Sequence, residues 1–151
     1  MAWWDKAGPG ALVTATVVEL TIATPTIFTI GGGRVLLTGI VGVIGEGAVG
    51  GACNVFLRLD PTAVVATATI TPLCVARNII GYPVGDQLTI TGVPTDPMVP
   101  VAAASAVPGM TMPVVLTQGD LEFCIDAAVV GNVTWTAWYK PLDPAGYILA
   151  A

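Results

Sequence analysis

Val, Thr and Ile dominate this sequence in short runs broken by Gly and Pro, and that pattern constrains the fold more than any other feature. β-branched residues favour extended backbone, and Gly and Pro punctuate it, so the runs read as strands bounded by turns. Helix is hard to place anywhere. The pattern predicts strands over 12–20 and 26–30, the second closed by Gly31-Gly32-Gly33. A long run over 34–44 is apolar on both parities, which places it in a sheet with both faces covered at least in part. After a flexible connection at 45–51, residues 53–59 alternate and stop at Asp60-Pro61, and 64–71 continues in β-rich residues. A short strand at 88–91 runs into a Gly-, Pro- and Asp-containing loop at 91–97. Residues 114–117 and 121–126 flank Gln118-Gly119-Asp120 and predict a hairpin. In 133–140 the odd positions are Val133, Trp135, Ala137 and Tyr139, which makes one face apolar and leaves Trp138 on the other.

Eight to ten short strands at this spacing predict an all-β fold, an antiparallel β-sandwich of the jelly-roll kind. A chain of 151 residues is enough for one core, burying roughly 70% of the surface its unfolded form exposes. We assign residues 11–151 to a single sandwich domain and 1–10 to a short amino-terminal arm, in which Trp3 and Trp4 precede the breaker Gly8-Pro9-Gly10.

Charge limits what such a domain can do alone. Only 10% of residues are charged, against about 25% in soluble domains, and 54% are apolar, with a mean hydropathy of +0.82. Five basic and ten acidic side chains cannot cover the surface, so large uncharged areas must face outward, as they do where subunits meet. We therefore expect a homo-oligomer. A spanning helix needs roughly 20 apolar residues, and the charge-free stretches fail that test. The longest, 97–119, carries Pro97, Pro100, Pro108 and Pro113, and 61–76 contains Pro72. The first ten residues do not resemble a secretory signal, which gives synthesis in a cytoplasm as the expectation. A net charge of −5, with Lys6, Arg34, Arg58, Arg77 and Lys140 scattered, opposes nucleic-acid binding.

The reactive inventory is thin. There is no histidine, which removes Ser-His-Asp and Cys-His arrangements. Gly45-Glu46-Gly47-Ala48-Val49-Gly50 fits a dinucleotide fingerprint in letters, but the next residues, 51–57, read as a strand, whereas a phosphate cradle needs a helix amino terminus. Asp120, Glu122 and Asp126 fall close together and are explained by a solvated strand face opposite Leu121, Phe123 and Ile125, with weak calcium coordination as the alternative. Cys53, Cys74 and Cys124 are too few and scattered for a disulfide framework and read as buried thiols. The glycosylation sequon at Asn132-Val133-Thr134 is incidental in a cytoplasmic product. No catalytic, cofactor-binding or metal-binding residue is assigned, and no cofactor is expected. The interface candidates are Trp3, Trp4, Trp138 and Tyr147.

Two stretches carry a likeness. Residues 27–42, with Gly31-Gly32-Gly33-Arg34 at their centre, resemble the early hairpin of small structural proteins from tailed-phage virions. The carboxyl-terminal part is similar to the ending of the same group, in the strand 119–123, then Gly131-Asn132-Val133-Thr134-Trp135, then Tyr139-Lys140-Pro141-Leu142-Asp143-Pro144-Ala145-Gly146-Tyr147. Counted over 25–44 and 86–151, the likeness covers somewhat more than half the chain; the amino terminus and the Pro-rich segment 94–113 depart from it. The resemblance implies a β-sandwich decoration or cement protein, a trimer on the capsid surface that binds the major capsid protein or other virion proteins. A tail, baseplate or fibre component is the nearest alternative. A carbohydrate-binding sandwich, with Trp138, Trp4 and Tyr147 stacking on sugar rings, is an alternative of another class.

Overall fold

The computed structural model describes residues 10–15, 18–46, 50–62 and 69–151. The Trp3 and Trp4 expectations therefore lie outside the described residues. Among the described residues there is no helix, so none long and apolar enough to cross a membrane, and there are thirteen strands. They are β1 (Ala11–Thr14), β2 (Val18–Glu19), β3 (Thr26–Gly31), β4 (Val35–Ile44), β5 (Asn54–Pro61), β6 (Thr71–Pro72) and β7 (Arg77–Asn78). Next come β8 (Gln87–Thr89), β9 (Val99–Val101), β10 (Val114–Leu116), β11 (Gly119–Ile125), β12 (Asn132–Pro141) and β13 (Tyr147–Ala150).

Two antiparallel sheets pack face to face. One runs β1-β12-β4-β8-β9, with β2 also on β12 and β10 also on β4; the other runs β13-β3-β11-β5-β6, with β7 also on β5. The pairings are nested. β1 pairs with β12, β3 with β11, β4 with β8, and β5 with β6 and β7, so one long hairpin ribbon is rolled into two sheets. That is the jelly-roll form of the sandwich.

Alternation supplies the core. On β12 the buried side chains are Val133, Trp135 and Ala137, and on β11 they are Leu121, Phe123 and Ile125. The Phe123 and Trp135 rings meet edge to face at 5.0 Å between centroids across the sandwich. Room for Trp135 comes from Gly42, its partner on β4, where a Cβ would stand 2.9 Å from the ring. Trp138 is likewise paired with Gly39 on the outer side, where a Cβ would stand at an ordinary 3.4 Å. A Gly-x-x-Gly on one strand thus faces a Trp-x-x-Trp on its neighbour, one ring into the core and one out.

The turn from β3 to β4 needs its glycines. Gly32 has φ +69°, and a Cβ there would lie 1.8 Å from the Ala145 carbonyl oxygen. Tyr147 packs against Gly31, and Gln118, with its amide oxygen and nitrogen exchanged as the two neighbouring donors require, accepts from the NH groups of Gly32 and Gly33 at 3.2 and 3.0 Å. Arg34 then forks onto Asp143, with Nε to Oδ2 at 3.1 Å and Nη2 to Oδ1 at 2.9 Å. The two distant stretches 27–42 and 119–147 therefore meet at one corner.

Three segments differ from the expectations or add to them. No hairpin forms around Gln118-Gly119-Asp120: β10 belongs with β4 in one sheet and β11 with β3 and β5 in the other, so the chain crosses between sheets there. Gly119 instead opens β11, where a Cβ would come within 2.3 Å of the Asp60 carbonyl oxygen; that close approach also lets β5 run on through Asp60-Pro61. Of the expected strand 12–20, β1 and β2 are described, each paired with β12, and residues 16–17 lie outside the described residues. Segment 94–113, for which the sequence set no strand expectation, contains β9, whose Pro100 is tolerated because β9 is an edge strand.

Candidate interaction surface

The two outer faces differ in chemistry. On the face built from β3, β11 and β5, charged side chains alternate with the buried ones, and each of the three acidic residues singled out by sequence has an internal partner. Thr29 Oγ1 donates to Asp120 Oδ1 at 3.1 Å. Arg58 Nε donates to Glu122 Oε2 at 2.5 Å. Asp126 accepts from Asn54 N and Nδ2, both at 2.7 Å, which holds its carboxyl below the ordinary range. These carboxylates tie strands together, and among the described residues no group of three or more His, Cys, Asp or Glu is placed to hold a metal.

The opposite face is uncharged around its middle, with Glu19 on β2 and Lys140 near the end of β12 at its margins. Outward positions read Leu12 and Thr14 on β1, Thr134, Thr136 and Trp138 on β12, Gly39, Val41 and Val43 on β4, and Gln87 and Thr89 on β8. Val115 on β10 extends the patch, 51% exposed, and Leu12 at its other margin is 59% exposed. The apolar character of β4 on both parities is thus accounted for: Val35, Leu37, Ile40 and Ile44 point into the core, while Val41 and Val43 point outward.

A groove of about 610 Å³ runs along this face between the sheet and residues 107–110. Trp138, Val41 and Val43 line it from the sheet, and Val107, Pro108 and Met110 from the segment over it. Met110 is half anchored, since it also packs against the core, and Met112 N donates to Thr91 O at 3.0 Å to fix the strap behind it. The polar side chains lining the groove are already engaged within the protein. Thr38 Oγ1 donates to Trp138 O at 3.1 Å, Thr89 Oγ1 to Ile40 O at 2.7 Å, and Gln87 Nε2 to Ser105 O at 3.2 Å. Thr136 Oγ1 lies 3.4 Å from Thr14 Oγ1. With each polar side chain already bonded once within the protein and the rest of the lining apolar, the groove suits an apolar occupant better than a hydroxyl-rich one.

Of the four interface candidates, Trp138 is half-buried and walls the groove, where it faces both the 107–110 strap and open space. Tyr147 is on the other outer face, packed on Gly31 and 41% exposed. The fold does not bring the two rings together, so they cannot stack on one sugar. Sequence reasoning missed Val41, Val43 and Met110; the signals available were the two-sided apolarity of 34–44 and the uncharged, Pro-rich stretch 97–119. Cys53, Cys74 and Cys124 are all buried, and burial pushes each thiol above its ordinary pKa, which keeps them protonated and unreactive. Residues 45, 46 and 50 of the glycine-rich stretch lie between β4 and β5, and there Glu46 N donates to Asn132 Oδ1 at 3.1 Å. No family model, curated protein or solved structure matches the chain.

Proposed function

We propose that this chain is a non-enzymatic structural subunit of a homo-oligomeric assembly, and that the assembly is a phage virion in which it decorates and cements the capsid surface. The observation that carries the structural reading is the charge-free groove on the outer face of β12, β4 and β8, whose polar side chains each have a hydrogen-bond partner within the protein. Such a face is favourable to cover: each Å² of apolar area removed from water is worth roughly 25 cal/mol before association costs are subtracted. The virion setting is supported by the resemblance of residues 25–44 and 86–151 and by the jelly-roll strand order, a form used by capsid and lectin domains alike.

The mechanism rests on many small contacts. A subunit bridging joints between coat proteins adds buried area at each joint, and repetition over a lattice resists the outward pressure of packaged DNA. Light scattering on the purified protein should give a closed oligomer, a trimer in the decoration reading. Added to heads stripped of it, the protein should raise the temperature at which they rupture; unchanged rupture would refute the cement role and leave the oligomer reading to the mass measurement.

A further inference from the structure

We infer that the groove beside Trp138 is the seat for the amino-terminal arm of a second copy of this chain, with Trp3 and Trp4 as the inserted side chains. This rests on the homo-oligomeric reading above and deepens it by naming the contact.

Four observations converge. The groove is lined without any charged residue, and its volume of about 610 Å³ falls in the range of roughly 300–1,000 Å³ that encloses one compact ligand, suited to one or two large side chains. Its polar side chains are each bonded once within the protein and the rest of its lining is apolar, which favours an occupant that contributes apolar surface. Among the segments outside the described residues, which are 1–9, 16–17, 47–49 and 63–68, only the first contains aromatic residues. The last is the place where that segment joins the fold. Gly10 sits against Tyr139 and Lys140, where a Cβ would be 2.0 Å from the Tyr139 carbonyl oxygen.

That position lets the arm leave the edge of its own sheet toward a neighbouring molecule. β1 begins opposite Tyr139 and runs toward Thr136, so the arm joins the sheet beyond the Trp138 end of the groove and not from above it. Nine residues can span up to roughly 30 Å, enough to cross to a neighbouring molecule without reversing over their own strand. An arm fitting a groove on the next copy is a head-to-tail contact, and such contacts close into rings when the rotation allows.

The test uses complementation. The full chain, a chain lacking residues 1–9, the arm variant Trp3→Ala/Trp4→Ala and the groove variant Trp138→Ala are compared by sedimentation velocity. Removing the arm or altering the groove should each weaken self-association at least tenfold. Mixing the arm-less chain with the Trp138→Ala chain should restore a one-to-one pair, because one partner keeps the groove and the other keeps the arm; a merely misfolded variant would not do this. If the full chain and all variants keep the same oligomeric mass, the arm of a second copy is not the occupant, and the proposal falls while the oligomer reading stands. A full chain that stays monomeric at every concentration overturns both.

Discussion

Asp143 shows how one side chain can hold a corner that sequence separates by more than a hundred residues. It accepts from Arg34 N at 2.7 Å as well as from the guanidinium, and the side-chain bond to Arg34 is the main reason its carboxyl titrates at about 2. The folded value lies below the ordinary one, so the carboxylate's contribution to stability is complete above the ordinary value and is lost as pH falls through the folded one. Asp143→Asn should therefore melt at a lower temperature than the natural protein near neutrality. The gap should hold down to roughly pH 4 and close toward pH 2, as followed by circular dichroism. The sequence could mark Gly31-Gly32-Gly33-Arg34 and Pro141-Leu142-Asp143-Pro144 as turn material. It could not pair Arg34 with Asp143, because that contact exists only once β3 and β13 lie side by side.

At the scale of elements, strands with clear alternation were legible and strands made by context were not. β3, β4, β11 and β12 carry their own period or length in β-branched and aromatic residues, and 26–30, 34–44 and 133–140 match them closely. β9 and β13 are short edge strands with little alternation, and β10 was readable as a strand but not in its partner. Its pairing depends on the crossing between sheets at 117–118, which turn chemistry alone does not distinguish from a hairpin. The match of Gly39 and Gly42 to Trp138 and Trp135 makes a test of how closely the β4–β12 pair is fitted. Gly42→Ala would place a methyl 2.8 Å from Val133 Cγ1 and 2.9 Å from the Trp135 ring, and should cost about 1–3 kcal/mol in urea unfolding. Gly39→Ala would meet Trp138 at an ordinary 3.4 Å and should stay within about 0.5 kcal/mol of the natural protein.

For the whole molecule, the readable quantity was the shortage of charge, and the fold adds where the shortage lies. Arg58 and Glu122 pair on the face of β3, β11 and β5, whereas the groove on the opposite face is lined without a charged residue, with Lys140 near the end of β12 and Glu19 on β2 at the margins of that face. Self-association through that face should change little between low and high salt, since there are few charges for salt to screen. A strong salt dependence in sedimentation would place the contact on the charged face instead. Composition alone could not separate the two faces, because which residues share a face depends on the strand order.

The nested ribbon also sets an order of events during synthesis. β12 begins about 120 residues after β1, so at a pace of roughly 5–20 residues per second the first strand waits on the order of 10 s for its partner. Through that interval the Val- and Ile-rich strands already made have no closed sheet to join, and β4 in particular lacks its main neighbour. On a crowded ribosome cluster translating one message, the same strands of adjacent nascent chains are the nearest alternative partners, and a slow final closure leaves room for a chaperone to keep them apart.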